Sequence, residues 1–135
     1  MSQTILIVED EADVRTYLST VLQANGYQAV EAADAESGLK TAERERPDLI
    51  SLDIMMPRKS GLSLYVDLRR HPELGKTPIV IVTGMAQHGE FDILAHLEGK
   101  EVPEPERVVE KPVSAEAYVD LVKSLIGPPE ESEDG

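Results

Sequence analysis

Four short apolar runs, each closed by polar or charged residues, set the strongest limit on how this chain can fold. Thr4-Ile5-Leu6-Ile7-Val8 leads into Glu9, Asp10 and Glu11, and Leu49-Ile50-Ser51-Leu52 leads into Asp53. Ile79-Val80-Ile81-Val82 leads into Thr83-Gly84, and Val108-Val109 into Glu110-Lys111-Pro112. Runs with so little polar alternation read as strands of a parallel sheet, buried on both faces.

Helical patterns fill the intervals. Val14, Tyr17, Leu18, Val21 and Leu22 recur at helical spacing, and Asn25-Gly26 supplies a terminus. Tyr27 to Ala32 is a weaker, more exposed strand that belongs at a sheet edge. Asp34 caps a helix running to about Arg44, which Pro47 ends. Leu62, Tyr65, Val66 and Arg69 mark a third helix, closed by His71-Pro72, and Pro78 leads into the next strand. Phe91, Leu94 and Ala95 suggest a further helix, and Gly99 to Pro105 reads as a loop. Ser114 caps a last helix with Tyr118, Leu121, Val122 and Leu125 on its apolar face, ended by Gly127-Pro128-Pro129. Strand and helix in alternation imply parallel βαβ units with right-handed crossovers, an α/β fold.

Composition narrows the function. At 135 residues the chain is the size of one domain and needs no covalent staple, since a domain of that length buries roughly two-thirds of its unfolded surface. No cysteine is present, which excludes disulfides, thiolate metal sites and a cysteine nucleophile. Neither a signal peptide nor the apolar segment of about 20 residues that a membrane helix needs is expected. The net charge of -13 argues against nucleic acid as a partner. A soluble, cytoplasmic protein is expected.

In a parallel sheet the carboxyl ends of all strands meet on one edge, where open α/β sheets bind ligands. Asp53 taken alone reads more simply as a turn residue, because Asp is common in turns. Its company changes the weighing, since two acids, an Asp, a Thr and a Lys would converge from four strand ends. His71, His88 and His96 have no ligand spacing and read as surface residues, and Met55-Met56 reads as packing.

The ordered set Glu9-Asp10, Asp53 with Met56-Pro57 and Gly61, Thr83-Gly84 and Lys111-Pro112 resembles the receiver domain of bacterial two-component response regulators over roughly residues 3–126. The resemblance implies a single doubly wound, flavodoxin-like (βα)5 domain with a five-stranded parallel sheet in the order 2-1-3-4-5, which makes Glu9, Asp10 and Asp53 neighbours. Three carboxylates together raise one another's pKa, and Mg²⁺, which favours carboxylate oxygens, resolves the repulsion. Asp10 and Asp53 would be direct ligands, Glu9 a direct or water-bridged one, and the Met55 backbone carbonyl another. For Asp10 a simple helix-capping role is the alternative.

By the same resemblance Asp53 takes a phosphoryl group from a phosphohistidine on a sensor histidine kinase or phosphotransfer protein. Lys111 would pair with one phosphoryl oxygen and the Thr83 hydroxyl with another. The expected protein is a monomeric phosphoacceptor that promotes its own phosphorylation and dephosphorylation, rather than an enzyme with a separate substrate, and it relays signal through protein contacts. Residues 1–126 would form the receiver and 127–135 a disordered acidic tail, with no output domain. Pro112 is cis in the family, and Met55 and Met85 would flank the path of the hydrolytic water.

Two features depart from the family. Val108 stands where a switching Tyr or Phe is usual, and the stretch from Thr83 to Lys111 is longer and lacks a Gly-Ala-Asp-Asp-like segment. Readout is therefore the open question, and a phosphorylation-independent interaction module is the alternative. A Mg²⁺-dependent phosphatase would place a second Asp where Met55 stands, and a flavin-binding protein would need a Ser/Thr-rich loop after the first strand.

Overall fold

The computed structural model describes residues 3–54, 61–84 and 102–129. In chain order it contains β1 (Thr4–Val8), α1 (Ala12–Ala24), β2 (Gln28–Ala32), α2 (Ala35–Glu45) and β3 (Leu49–Leu52). Then follow α3 (Gly61–Arg70), β4 (Ile79–Thr83), β5 (Arg107–Glu110) and a final helix, α4 (Ala115–Ile126). All strand pairs are parallel and the sheet order is β2-β1-β3-β4-β5, as expected.

Alternate strand residues feed two cores, because side chains leave a strand on opposite faces. Leu6, Val8, Ile50, Leu52, Ile79 and Ile81 pack with Leu64, Tyr65 and Leu68 of α3 on one face. Ile5, Ile7, Leu49, Val80 and Val82 pack with Leu18 and Leu22 of α1 and Tyr118 and Val122 of α4 on the other. With helices covering both faces, β1, β3 and β4 are almost wholly buried, which is why their sequences lack alternation.

The caps follow the sequence in part. The Asp34 carboxylate accepts the Ser37 N–H at 2.8 Å, and the Ser114 hydroxyl accepts the Ala117 N–H at 3.1 Å. Helix α2 stops at Arg46, one residue before Pro47, where the chain turns left-handed with φ 49°. Gly127, at φ 86°, ends α4.

Three expectations need correction. Tyr17 is 43% exposed, because it lies beside the buried α1 stripe of Leu18 and Leu22 and reaches sideways to donate to the Val113 carbonyl. On α3 the deepest stripe is Gly61, Leu64, Tyr65 and Leu68, spaced by three and four, while Leu62 and Val66 are only partly buried. Strand β5 is a short edge strand, and its Val108 is 39% exposed rather than buried.

Arg69 is the least expected core residue, with a side chain only 2% exposed. Its guanidinium donates to five acceptors: the Tyr65 hydroxyl, the carbonyls of Gly75, Thr77 and Glu104, and Glu106 Oε1. Glu106 Oε1 also accepts the Ile79 N–H, and the Tyr65 hydroxyl donates to the Pro103 carbonyl. A buried charge needs such compensation, and here it ties the segment before β5 to α3 and to the start of β4.

Candidate functional site

The strand ends are registered by backbone bonds. The Glu9 N–H donates to the Ala32 carbonyl at 3.1 Å, and the Asp53 N–H to the Val8 carbonyl at 2.9 Å. At the other side the Lys111 N–H donates to the Thr83 carbonyl at 2.9 Å. These bonds fix the last residues of β1, β3, β4 and β5 along one edge, and the side chains of the acids and the lysine meet there.

Glu9 and Asp53 are 1% and 3% exposed, Asp10 is half-buried, and the three can each present a carboxylate oxygen within 4.8 Å of the others. The Lys111 ammonium stands 3.1 Å from Glu9 Oε1, 3.3 Å from Asp53 Oδ2 and 3.2 Å from Glu11 Oε1. Glu9 Oε2 also accepts the Glu11 N–H at 3.2 Å. Arg15 Nη1 donates to the Glu9 carbonyl at 2.7 Å, while its Nε lies 3.4 Å from Glu31. The Lys111-Pro112 peptide is cis.

Electrostatics follow from burial and crowding. Burial first, and the Asp53 charge second, push the Glu9 carboxyl up to about 7 from an ordinary 4.5. Burial alone would lower the Lys111 pKa, but hydrogen bonding to Glu9 and the charges of Asp53 and Glu9 outweigh it, and the net direction is upward. The ammonium therefore keeps its proton at any working pH.

The donor set fits a hard divalent cation, because it consists of carboxylate oxygens close enough to share one ion. The capping alternative for Asp10 does not hold: the N-cap of α1 is Glu11, and its side chain makes no capping bond.

Thr83 is fully buried at the end of β4, where it pairs with Glu110. Val108 pairs with Ile81, two positions short of that end. The Met55 carbonyl lies outside the described residues, as do Met56, Met85, His88, Phe91, Leu94, Ala95 and His96 and the acidic stretch 130–135. His71 is remote from the site, at the end of α3, with its Nε2 3.2 Å from Glu43 Oε2.

Sequence reasoning assigned no role to Glu11 or Arg15. The available signal was position, two and six residues after Glu9, on the turn and first helix beside the strand end.

The response regulator receiver domain pattern matches residues 5–123. The alkaline phosphatase synthesis transcriptional regulatory protein PhoP of Bacillus subtilis is 40% identical over 98 residues, covering 73% of this chain and 39% of that protein. The phosphate regulon transcriptional regulatory protein PhoB of Escherichia coli is 34% identical over 93% of this chain and 52% of its own length. The chain thus spans about half or less of the length of these curated relatives. The polar-differentiation response regulator DivK of Brucella anthropi is 28% identical, over 94% of this chain and 98% of its own.

Among solved structures, the receiver domain of a sensor histidine kinase from Pseudomonas aeruginosa superposes with a TM-score of 0.80 at 25% identity, covering 94% of this chain and 99% of that one. That receiver holds a magnesium ion coordinated in its active-site cleft. No helix among the described residues is long and apolar enough to cross a membrane. With the sheet order, the acidic strand ends and the match over residues 5–123 in agreement, the chain belongs to the response regulator receiver domain family of two-component systems.

Proposed function

We propose that this receiver accepts a phosphoryl group on Asp53, with Glu9 and Asp10 sharing a Mg²⁺ ion with it, and passes the signal on through protein contacts. The observation that carries this reading is one cluster: a carboxylate 3% exposed at the end of β3, an ammonium 3.3 Å away, and two more acids within reach of a shared cation.

An oxygen of Asp53 attacks the phosphorus, the bond from phosphorus to the donor's imidazole nitrogen breaks, and the electron pair returns to that nitrogen. Lys111 holds one phosphoryl oxygen as a point charge, and the Thr83 hydroxyl offers a donor to another. Burial of Asp53 excludes bulk water from the reacting carboxylate and strengthens both contacts. Bound Mg²⁺ would supply neutralisation of charge developing on the transferred group. The donor would be a sensor histidine kinase or phosphotransfer protein in the cytoplasm, as is general for receivers.

The test is incubation with acetyl phosphate and Mg²⁺, read by intact mass. A gain of one phosphoryl group that is abolished in Asp53→Asn and by EDTA is expected. An unmodified protein, or equal labelling of Asp53→Asn, would overturn the assignment. A phosphorylation-independent interaction module is the reading favoured by Val108, whose exposed aliphatic side chain has no ring to swing, and the same experiment separates the two.

A further inference from the structure

We propose that Glu11 is a positioning residue for Lys111: it holds the ammonium in the resting site and yields it when a phosphoryl group arrives. The inference rests on the phosphoacceptor reading of Asp53. An ammonium has three donors, and those of Lys111 are directed at three carboxylates, Glu9, Glu11 and Asp53. A phosphoryl oxygen on Asp53 can take a donor only if one of these contacts is released.

The three are not equally releasable. Glu9 is 1% exposed, so water cannot take the place of the ammonium there. Asp53 is itself the reacting group. The Glu11 side chain is 62% exposed, so water replaces the lost contact at little cost. Glu11 is therefore the partner that gives way.

A second observation points the same way. Glu11 is the N-cap residue of α1, yet its side chain makes no capping bond. A Ser, Thr, Asp or Asn there would satisfy an open helix N–H. Glu11 instead extends across the site to Lys111, which lies 100 residues away in sequence. Its exposed carboxylate also sets a negative charge 3.2 Å from the ammonium.

Two measurements test the role, with Glu11→Gln, Lys111→Met and the double variant. With Mg²⁺ saturating both proteins, labelling by acetyl phosphate at low salt should be roughly three- to tenfold faster in Glu11→Gln than in wild type, from the loss of one nearby charge. The gap should narrow at about 1 M salt, where charges are screened within a few ångströms. Equal or slower labelling of Glu11→Gln would overturn the proposal.

The second readout is Mg²⁺ affinity by calorimetry, which needs no phosphoryl transfer. Without Glu11 the ammonium rests wholly on Glu9 and Asp53 and competes with the metal. Glu11→Gln should therefore weaken Mg²⁺ several-fold when Lys111 is present, and clearly less in the Lys111→Met background. Equal weakening in both backgrounds would mean bare charge rather than positioning, and would also overturn it. Absence of labelling in wild type would sink the Asp53 reading instead, while the Mg²⁺ cycle would still decide whether Glu11 acts through Lys111.

Discussion

Gly61 packs so closely on Asp53 that a Cβ at position 61 would stand 2.4 Å from the Asp53 carbonyl oxygen and 2.4 Å from the Ile54 Cα. The Gly61 N–H also donates to the Ile54 carbonyl at 3.3 Å, so the start of α3 rests directly on the backbone that carries Asp53. The glycine is required by this approach and not by an unusual φ. Gly61→Ala must push that backbone aside. A stability loss of roughly 1–3 kcal/mol is expected from the overpacking, read from the urea midpoint at unchanged slope. Phosphoryl labelling should slow by more than the stability loss accounts for, and a variant as stable and as reactive as wild type would contradict the contact.

Glu9 makes the metal-free protein pH-sensitive. Its carboxyl rises to about 7 in the folded chain from 4.5, so between those values the folded state holds more protons than the unfolded one. The stability tied to this group is complete below 4.5 and is lost as pH climbs through about 7. The full loss is on the order of 3 kcal/mol by the usual conversion. Urea unfolding between pH 5.5 and 8.5 in EDTA should show the decline, and Glu9→Gln should flatten it. A wild type that gains stability over that range would refute the assignment to Glu9.

The same proton competes with the cation. A ligand must be deprotonated to bind, so Mg²⁺ affinity should tighten about tenfold between pH 6 and pH 8 if one group near 7 controls it. Titration calorimetry at the two values checks this, and Glu9→Gln should bind weakly with little pH dependence. Asp53→Asn should stabilise the metal-free protein by relieving repulsion at Glu9. Saturating Mg²⁺ should raise the melting temperature of wild type by mass action.

Arg69 holds the segment ahead of β5. Arg69→Met takes this donor from the Thr77 and Gly75 carbonyls and the cation from the partly exposed Glu106 carboxylate, which should cost about 1–3 kcal/mol. Arg69→Lys should recover little, because an ammonium cannot fill five acceptors in a plane. Tyr65→Phe, which removes the hydroxyl between Arg69 and Pro103, should cost about 1–2 kcal/mol. Amide exchange should quicken at Ile79, whose N–H is held by Glu106, and protection unchanged there would argue against the tie.

Readout should bypass Val108. The residue is exposed and aliphatic, so Val108→Ala should change stability by under about 0.5 kcal/mol and leave phosphoryl-dependent chemical shifts elsewhere intact. Shifts on adding beryllofluoride should depend on Thr83, vanishing beyond the neighbours of Asp53 in Thr83→Ala. A response centred on Val108 would mean that the edge strand has its own switch.

Burial of the central strands, the two side-chain caps and the convergence of acids at one sheet edge could be read from the sequence. The first two are governed by short-range rules, and the third follows from the parallel strand order that the family resemblance implies. Buried parallel strands lose alternation, as in Ile5 to Val8, and Asp34 and Ser114 cap because the helix N–H groups three residues on are open.

What only the tertiary structure decided depends on groups distant in sequence. The contacts of Lys111 with Glu9 and Asp53 join residues 102 and 58 positions apart, and no local pattern shows that the ammonium also reaches Glu11. Arg69 fits the helical stripe of α3 by position, but its burial is tolerable only because acceptors from 75 to 106 surround it. Tyr17 and Val108 look apolar in sequence and are exposed, because the edges of a helix stripe and of a sheet are set by what packs beside them. Local periodicity determines which residues seek burial, and the assembled sheet determines which charges meet.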